Sequence, residues 1–121
     1  MSSHISLKGL ATVSWLVFAV ANAAAGPFDG KYRYNEHWDC SKLGQDGGAI
    51  SISDTTYIGV EQRCTLTNPV KVRGMNATLF DAQCSAEGDT YQSRIMLLKS
   101  TSEKLYIVNE GSVSIWQKCP E

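Results

Sequence analysis

Residues 55–66 read TTYIGVEQRCTL, and their pattern decides the fold class. Ile58, Val60, Cys64 and Leu66 are apolar, while Tyr57, Glu61, Arg63 and Thr65 alternate with them. A period of two along a short segment is the mark of a strand with one dry and one wet face. NATLFDAQCSA, residues 76–86, repeats it, with Phe80, Ala82 and Cys84 on one side and Asp81, Gln83 and Ser85 on the other. In SVSIWQKC the in-phase residues are Val113, Ile115 and Cys119, and in KYRYNEHWDC they are Tyr32, Tyr34, Trp38 and Cys40. Every cysteine thus shares its phase with the expected core.

Working outward, further strands are expected at Ala49–Ser53, Thr90–Lys99 and Lys104–Asn109. MLL at 96–98 breaks the alternation, which predicts a strand covered on both faces. GQDGG at 44–48, TNP at 67–69, EGD at 87–89, STSE at 100–103 and NEG at 109–111 supply turns between the strands. No helix is expected after residue 25. The fold class is all-β: a small single-domain antiparallel meander, closed as a barrel or packed as a two-sheet sandwich.

The first 25 residues are read separately. Lys8 is followed by the apolar stretch LATVSWLVFAV, Leu10 to Val20, and then by the small residues ANAAAG, Ala21 to Gly26. That order is a secretory signal peptide, with cleavage after Ala23 or Ala25. The apolar stretch is shorter than the ~20 residues that span a bilayer, so no stable membrane anchor is expected after its removal. The domain is then residues 26–121, periplasmic or secreted. The formal net charge of the whole chain is −1 and becomes more negative without Lys8, so nucleic acid is not an expected partner.

All four cysteines lie in this exported part, and an even count in a small exported chain predicts two disulfides. Three connectivities are possible. The strands bearing Cys64 and Cys84 are natural hairpin neighbours, which leaves Cys40 to pair with Cys119 and clamp the first strand to the last. On the chain-entropy argument the shorter link contributes about 3 kcal/mol and the longer over ~4 kcal/mol.

The segment Asn35–Ser41, NEHWDCS, gathers a base, an acid, a thiol and a hydroxyl, and so poses the question of catalysis. If it is extended, His37 and Asp39 point away from Trp38 and Cys40, and a Cys–His nucleophilic pair cannot form. His37 is the only histidine after residue 25, and the cysteines lack paired metal-ligand spacing, so neither a metal nor a cofactor is expected. There is no G-x-S-x-G, H-E-x-x-H or glycine-rich phosphate loop. The expectation is a protein that is not an enzyme, in which Cys40 is a staple. Asn76-Ala77-Thr78 is a glycosylation sequon only in a glycosylating host.

Binding is the remaining class. Trp116 and Tyr57 fall out of phase with the core residues around them and are expected as exposed aromatic anchors. TNPVKVRGMNA, residues 67–77, is expected as a long loop presenting Lys71, Arg73 and Met75, with Arg63 and Arg94 as further donors on strand faces.

The order GKYRY, WDCS, GGAISI, GVEQRC, AQCSAEG and WQKC resembles small exported four-cysteine β-domain proteins of alphaproteobacteria. FDGKYRY is also similar to the G-x-W entry strand of lipocalin-type barrels, with Tyr32 in the tryptophan position. Periplasmic lysozyme inhibitors are likewise small disulfide-bearing β-barrels, although their inhibitory loop has no counterpart here. These resemblances imply a fold and a compartment and carry over no site residue. The functional expectation is a non-enzymatic binding or envelope-accessory module whose partner is a protein or a cell-envelope component. The alternative is an inhibitor of a host or rival hydrolase, and a remoter one is a small hydrolase.

Overall fold

The computed structural model describes residues 26–121, so the expected signal peptide and its cleavage point lie outside the described residues. Among the described residues the chain is all-β, with no helix. Its strands are β1 (Gly30–Arg33), β2 (Ile50–Ser53), β3 (Thr56–Gly59), β4 (Gln62–Lys71), β5 (Ala77–Ala86), β6 (Asp89–Lys99), β7 (Leu105–Asn109) and β8 (Ser112–Lys118). Each pairs antiparallel with the next, and β8 returns to β1 to close a barrel. Of the two expected architectures, the barrel is the one formed.

TTYIGVEQRCTL is a hairpin rather than one strand. Glu61 takes a positive φ of 54°, and its N–H donates to the Gly44 carbonyl at 2.8 Å, so the chain reverses at Val60–Glu61. The reversal resets the facing of the residues before it. Tyr57 pairs across the strands with Cys64 and points into the barrel, 6% exposed. The expectation of an exposed Tyr57 is therefore corrected. At Glu87-Gly88 both residues have positive φ, the two-residue turn that matches the twist of a β-hairpin.

One interior row runs Ile52, Tyr57, Cys64 and Cys84 through consecutive strand pairs, and Tyr91 continues it to the exposed end of β6. Below it, Tyr32, Ile50, Leu97 and Leu105 are fully enclosed, and Phe28 plugs the end of the barrel against Phe80 with ring centroids 6.5 Å apart. A barrel of eight strands is just wide enough for side chains to fill it. In β8 the facing is opposite to expectation: Trp116 is in the core at 7% exposure, whereas Val113 and Ile115 face out at 62% and 44%. Both parities of SVSIWQ carry apolar groups, and the inward place goes to tryptophan, the side chain with most apolar surface to remove from water.

Cys64–Cys84 and Cys40–Cys119 are both formed. The first joins directly opposed residues of β4 and β5, with Cα atoms 4.0 Å apart. The second is half-buried at the barrel wall, so Cys40 and Cys119 do not share the core phase expected of them. Two disulfides fit an oxidising, non-cytoplasmic compartment.

The stretch 34–49 is a turn-rich loop, not the continuation of β1. It is held by Asp39 N–H to Gly47 carbonyl at 2.7 Å and by Gly48, where a Cβ would fall 1.9 Å from the Lys42 carbonyl oxygen. The expected loop 67–77 shrinks to 72–76, because β4 runs on to Lys71 through a bulge between Thr67 and Val70. Pro69 has no N–H to give a ladder, and Asn68 at φ 51° absorbs the irregularity. Met96 and Leu98 face outward and are half-buried, whereas Ile95 and Leu97 are buried, so only one face of β6 is enclosed among the described residues.

Burial pushes the phenols of Tyr57 and Tyr32 up from 10.0 to about 12; for Tyr32 the negative charge of Asp29 adds to it. The folded state holds both neutral, so this contribution to stability is present below pH 10 and is lost as pH rises through about 12. Alkaline unfolding is expected in that window. Tyr57→Phe should move its midpoint upward, as followed by phenolate absorbance alongside circular dichroism. An unchanged midpoint would contradict the buried placement of Tyr57.

Candidate recognition surface

The registers of β4 to β8 line up one outward-facing residue per strand: Val70 opposite Leu79, Leu79 opposite Met96, Met96 opposite Val108, and Val108 opposite Val113. A second row lies beside it, Ala77, Leu98, Tyr106 and Ile115. Five strands at ~4.8 Å spacing make this apolar band about 20 Å wide. Ala77 is buried, the middle residues are half-buried, and the flanks Val70 (58%), Val113 and Ile115 are open to water.

Charge borders the band unevenly. On the side of the 72–76 loop stand Lys71, Arg73, Lys99 and Lys104, with Met75 exposed among them. Lys104 shares a shallow recess with Tyr34, Val113 and Ile115. On the opposite side Asp81 and Arg94 form a cross-strand ion pair, Nη2 to Oδ1 3.1 Å, and Asn68 Nδ2 donates to Asp81 Oδ2 at 2.8 Å. Hydrogen bonds from Asn68 and Arg94 hold the Asp81 carboxyl below the usual carboxylate range. It is therefore an ionised structural partner and unsuited to donate a proton in general acid catalysis.

The tip of the loop is tied at its base. Val72 N–H donates to Ala77 carbonyl at 3.0 Å, Met75 N–H to Val72 carbonyl at 3.4 Å, and Lys99 N–H to Asn76 carbonyl at 3.0 Å. The structure thus places Arg73 and Met75 on a short projection beside the apolar band, with Lys71 at its base as the last residue of β4. Trp116 and Tyr57 are not part of it. Trp116 lies in an aromatic cluster with Tyr34 and Trp38, centroids 5.7 and 5.8 Å away, and its Nε1–H donates to Ser114 Oγ at 2.8 Å. Of the two arginines expected on strand faces, Arg94 is spent on Asp81, while Arg63 is exposed on β4.

NEHWDCS resolves into turns. Asn35 Oδ1 accepts the His37 N–H at 2.8 Å, and Asp39 Oδ1 accepts both the N–H and the hydroxyl of Ser41 at 2.8 and 2.7 Å. Those bonds from Ser41 hold the Asp39 carboxyl low. His37 points into solvent near Glu36, its Nε2 3.9 Å from a carboxylate oxygen, and Cys40 is consumed by its disulfide. Among the described residues no group of three or more His, Cys, Asp or Glu side chains is placed to hold a metal.

The sequence reading missed Val113 and Ile115 as surface groups, together with the band they complete. A signal existed: weighing apolar size as well as parity in SVSIWQ turns the strand over. His37→Ala is expected to leave the melting temperature unchanged. Trp116→Ala should cost roughly 3–5 kcal/mol, as large-to-small core replacements do. Thermal melting checks the first and chemical denaturation the second, and a stable Trp116→Ala variant would contradict the core placement. No protein-family model, curated protein or solved structure matches the chain, and the geometry alone carries the functional reading.

Proposed function

We propose that the domain is a non-enzymatic binding module of the periplasm or extracellular space that docks a protein partner on the apolar band of β4–β8. The observation that carries this reading is the unbroken register of Val70, Leu79, Met96, Val108 and Val113 across five strands. The interior is already filled, so this outer band does nothing for the domain's own core. Contiguous apolar surface on a small exported domain is a docking feature. The basic rim of Lys71, Arg73 and Lys104 favours a partner whose matching surface is acidic. The rigid frame lowers the ordering cost of association.

Among the described residues the only histidine, His37, is exposed beside Glu36, and Asp81 is paired with Arg94. A projection of five residues, 72–76, is short for filling an enzyme's cleft, so the sheet face rather than the loop is the principal contact.

Ile115→Glu on the band and Arg73→Ala on the rim are expected to weaken partner capture from envelope extract by about 10- to 100-fold, with the melting temperature little changed. His37→Ala is the silent control. Light scattering of the isolated domain is expected to show a monomer. A dimer dissolved by Ile115→Glu would assign the band to a second copy, and capture indifferent to both substitutions would place recognition elsewhere.

A further inference from the structure

We infer that the chain is cut between Ala25 and Gly26, and that the ammonium group so created is held by the Asp29 carboxylate at one end of the barrel. The inference rests on the exported reading of the protein. Residues 26–29 form a closed turn: Asp29 N–H donates to the Gly26 carbonyl at 3.1 Å, and Gly26 N–H donates to Asp29 Oδ2 at 2.9 Å. The other oxygen, Oδ1, accepts Asp54 N–H at 3.0 Å, so one carboxylate ties Gly26 to the turn between β2 and β3. Tyr32 Oη–H donates to the Phe28 carbonyl at 2.7 Å, and the Phe28 ring closes the barrel end at 4% exposure. The fold is therefore fixed as far as Gly26 itself.

Two features agree with Gly26 as the new terminus, while Ala21-Asn22-Ala23 offers the same A-x-A pattern two residues earlier. A Cβ at this position would lie 3.1 Å from Asp29 Oδ1, so the close approach to the carboxylate favours glycine. The residues before it, Ala23-Ala24-Ala25, supply the A-x-A pattern at which a signal peptidase cuts. In the cut, water attacks the Ala25 carbonyl, the C–N bond to Gly26 breaks, and the products at neutral pH are the Ala25 carboxylate and the Gly26 ammonium. An α-amino group of pKa about 8 is charged there. The neutral amide already donates to the Asp29 carboxylate at 2.9 Å, and cleavage turns that contact into an ion pair by placing a full positive charge on the donor. Cleavage after Ala23 would instead leave Gly26 N a neutral amide and place the charge two residues away, about 7 Å along the chain.

The test has two parts. The full chain is expressed in a bacterial host with an export pathway, and the intact mass of the exported protein is measured; a chain beginning at Gly26 is expected. Domains beginning at Gly26 and at Ala24 are then melted, each with and without Asp29→Asn. The Gly26 form is expected to melt about 4 °C higher, and Asp29→Asn should abolish that difference. An exported chain beginning at Ala24 overturns the cleavage site while leaving export intact. Equal melting of the two forms, or a difference that survives Asp29→Asn, overturns the ammonium contact. A chain retained in the cytoplasm with residues 1–25 attached overturns the export reading and the cut together.

Discussion

The barrel closes through its weakest seam. β8 returns to β1 by only two residue pairs, Lys118 with Tyr32 and Gln117 with Arg33, followed by the Cys119 N–H bond to the Lys31 carbonyl at 2.9 Å. Every other neighbouring pair is consecutive in sequence and forms with little loop-closure cost; this one joins the two ends of the domain and bears the greatest cost. The Cys40–Cys119 disulfide sits beside the seam and removes most of that entropy from the unfolded chain. With the seam shut, Tyr32, Trp116 and Leu105 join one buried apolar cluster, and the outer faces of β4–β8 are held in one curved sheet.

That closed geometry also explains why function is assigned to the outside. Lipocalin-like barrels that carry ligands leave space within; here Tyr32, Tyr57, Leu97, Leu105 and Trp116 occupy the axis. A recess of about 200 Å³ lies at the Phe28 end, lined by Ile52, Leu66, Phe80 and Leu97. It is small beside the 300–1,000 Å³ typical of ligand pockets. The β4–β8 band, by contrast, joins five strands and runs into the basic rim of Lys71, Arg73 and Lys104.

Much of the fold was legible because turn chemistry and pattern agreed. EGD at 87–89 and NEG at 109–111 marked real hairpins, and the placing of Cys64 and Cys84 on adjacent strands predicted their bond. The hairpin at Val60–Glu61 was hidden because its positive φ falls on glutamate rather than glycine or asparagine, and because Ile58 and Val60 imitate an uninterrupted alternation. Missing that reversal turned Tyr57 outward. Trp116 was misplaced for a related reason: Val113, Ile115 and Trp116 compete for the inside, and parity alone does not weigh size. The apolar band was illegible from any single segment, since it exists only once the registers of five strands place Val70, Leu79, Met96, Val108 and Val113 side by side.

Hydrogen exchange on the Cys40→Ser/Cys119→Ser double variant tests the role of the seam most directly. The account predicts that amides of β1 and of the Gln117–Lys118 end of β8 lose protection by at least an order of magnitude more than those of β5 and β6, because the ends part before the meander does. Uniform loss across all strands, or protection of β1 equal to that in the oxidised protein, would contradict the claim that this disulfide holds the barrel closed.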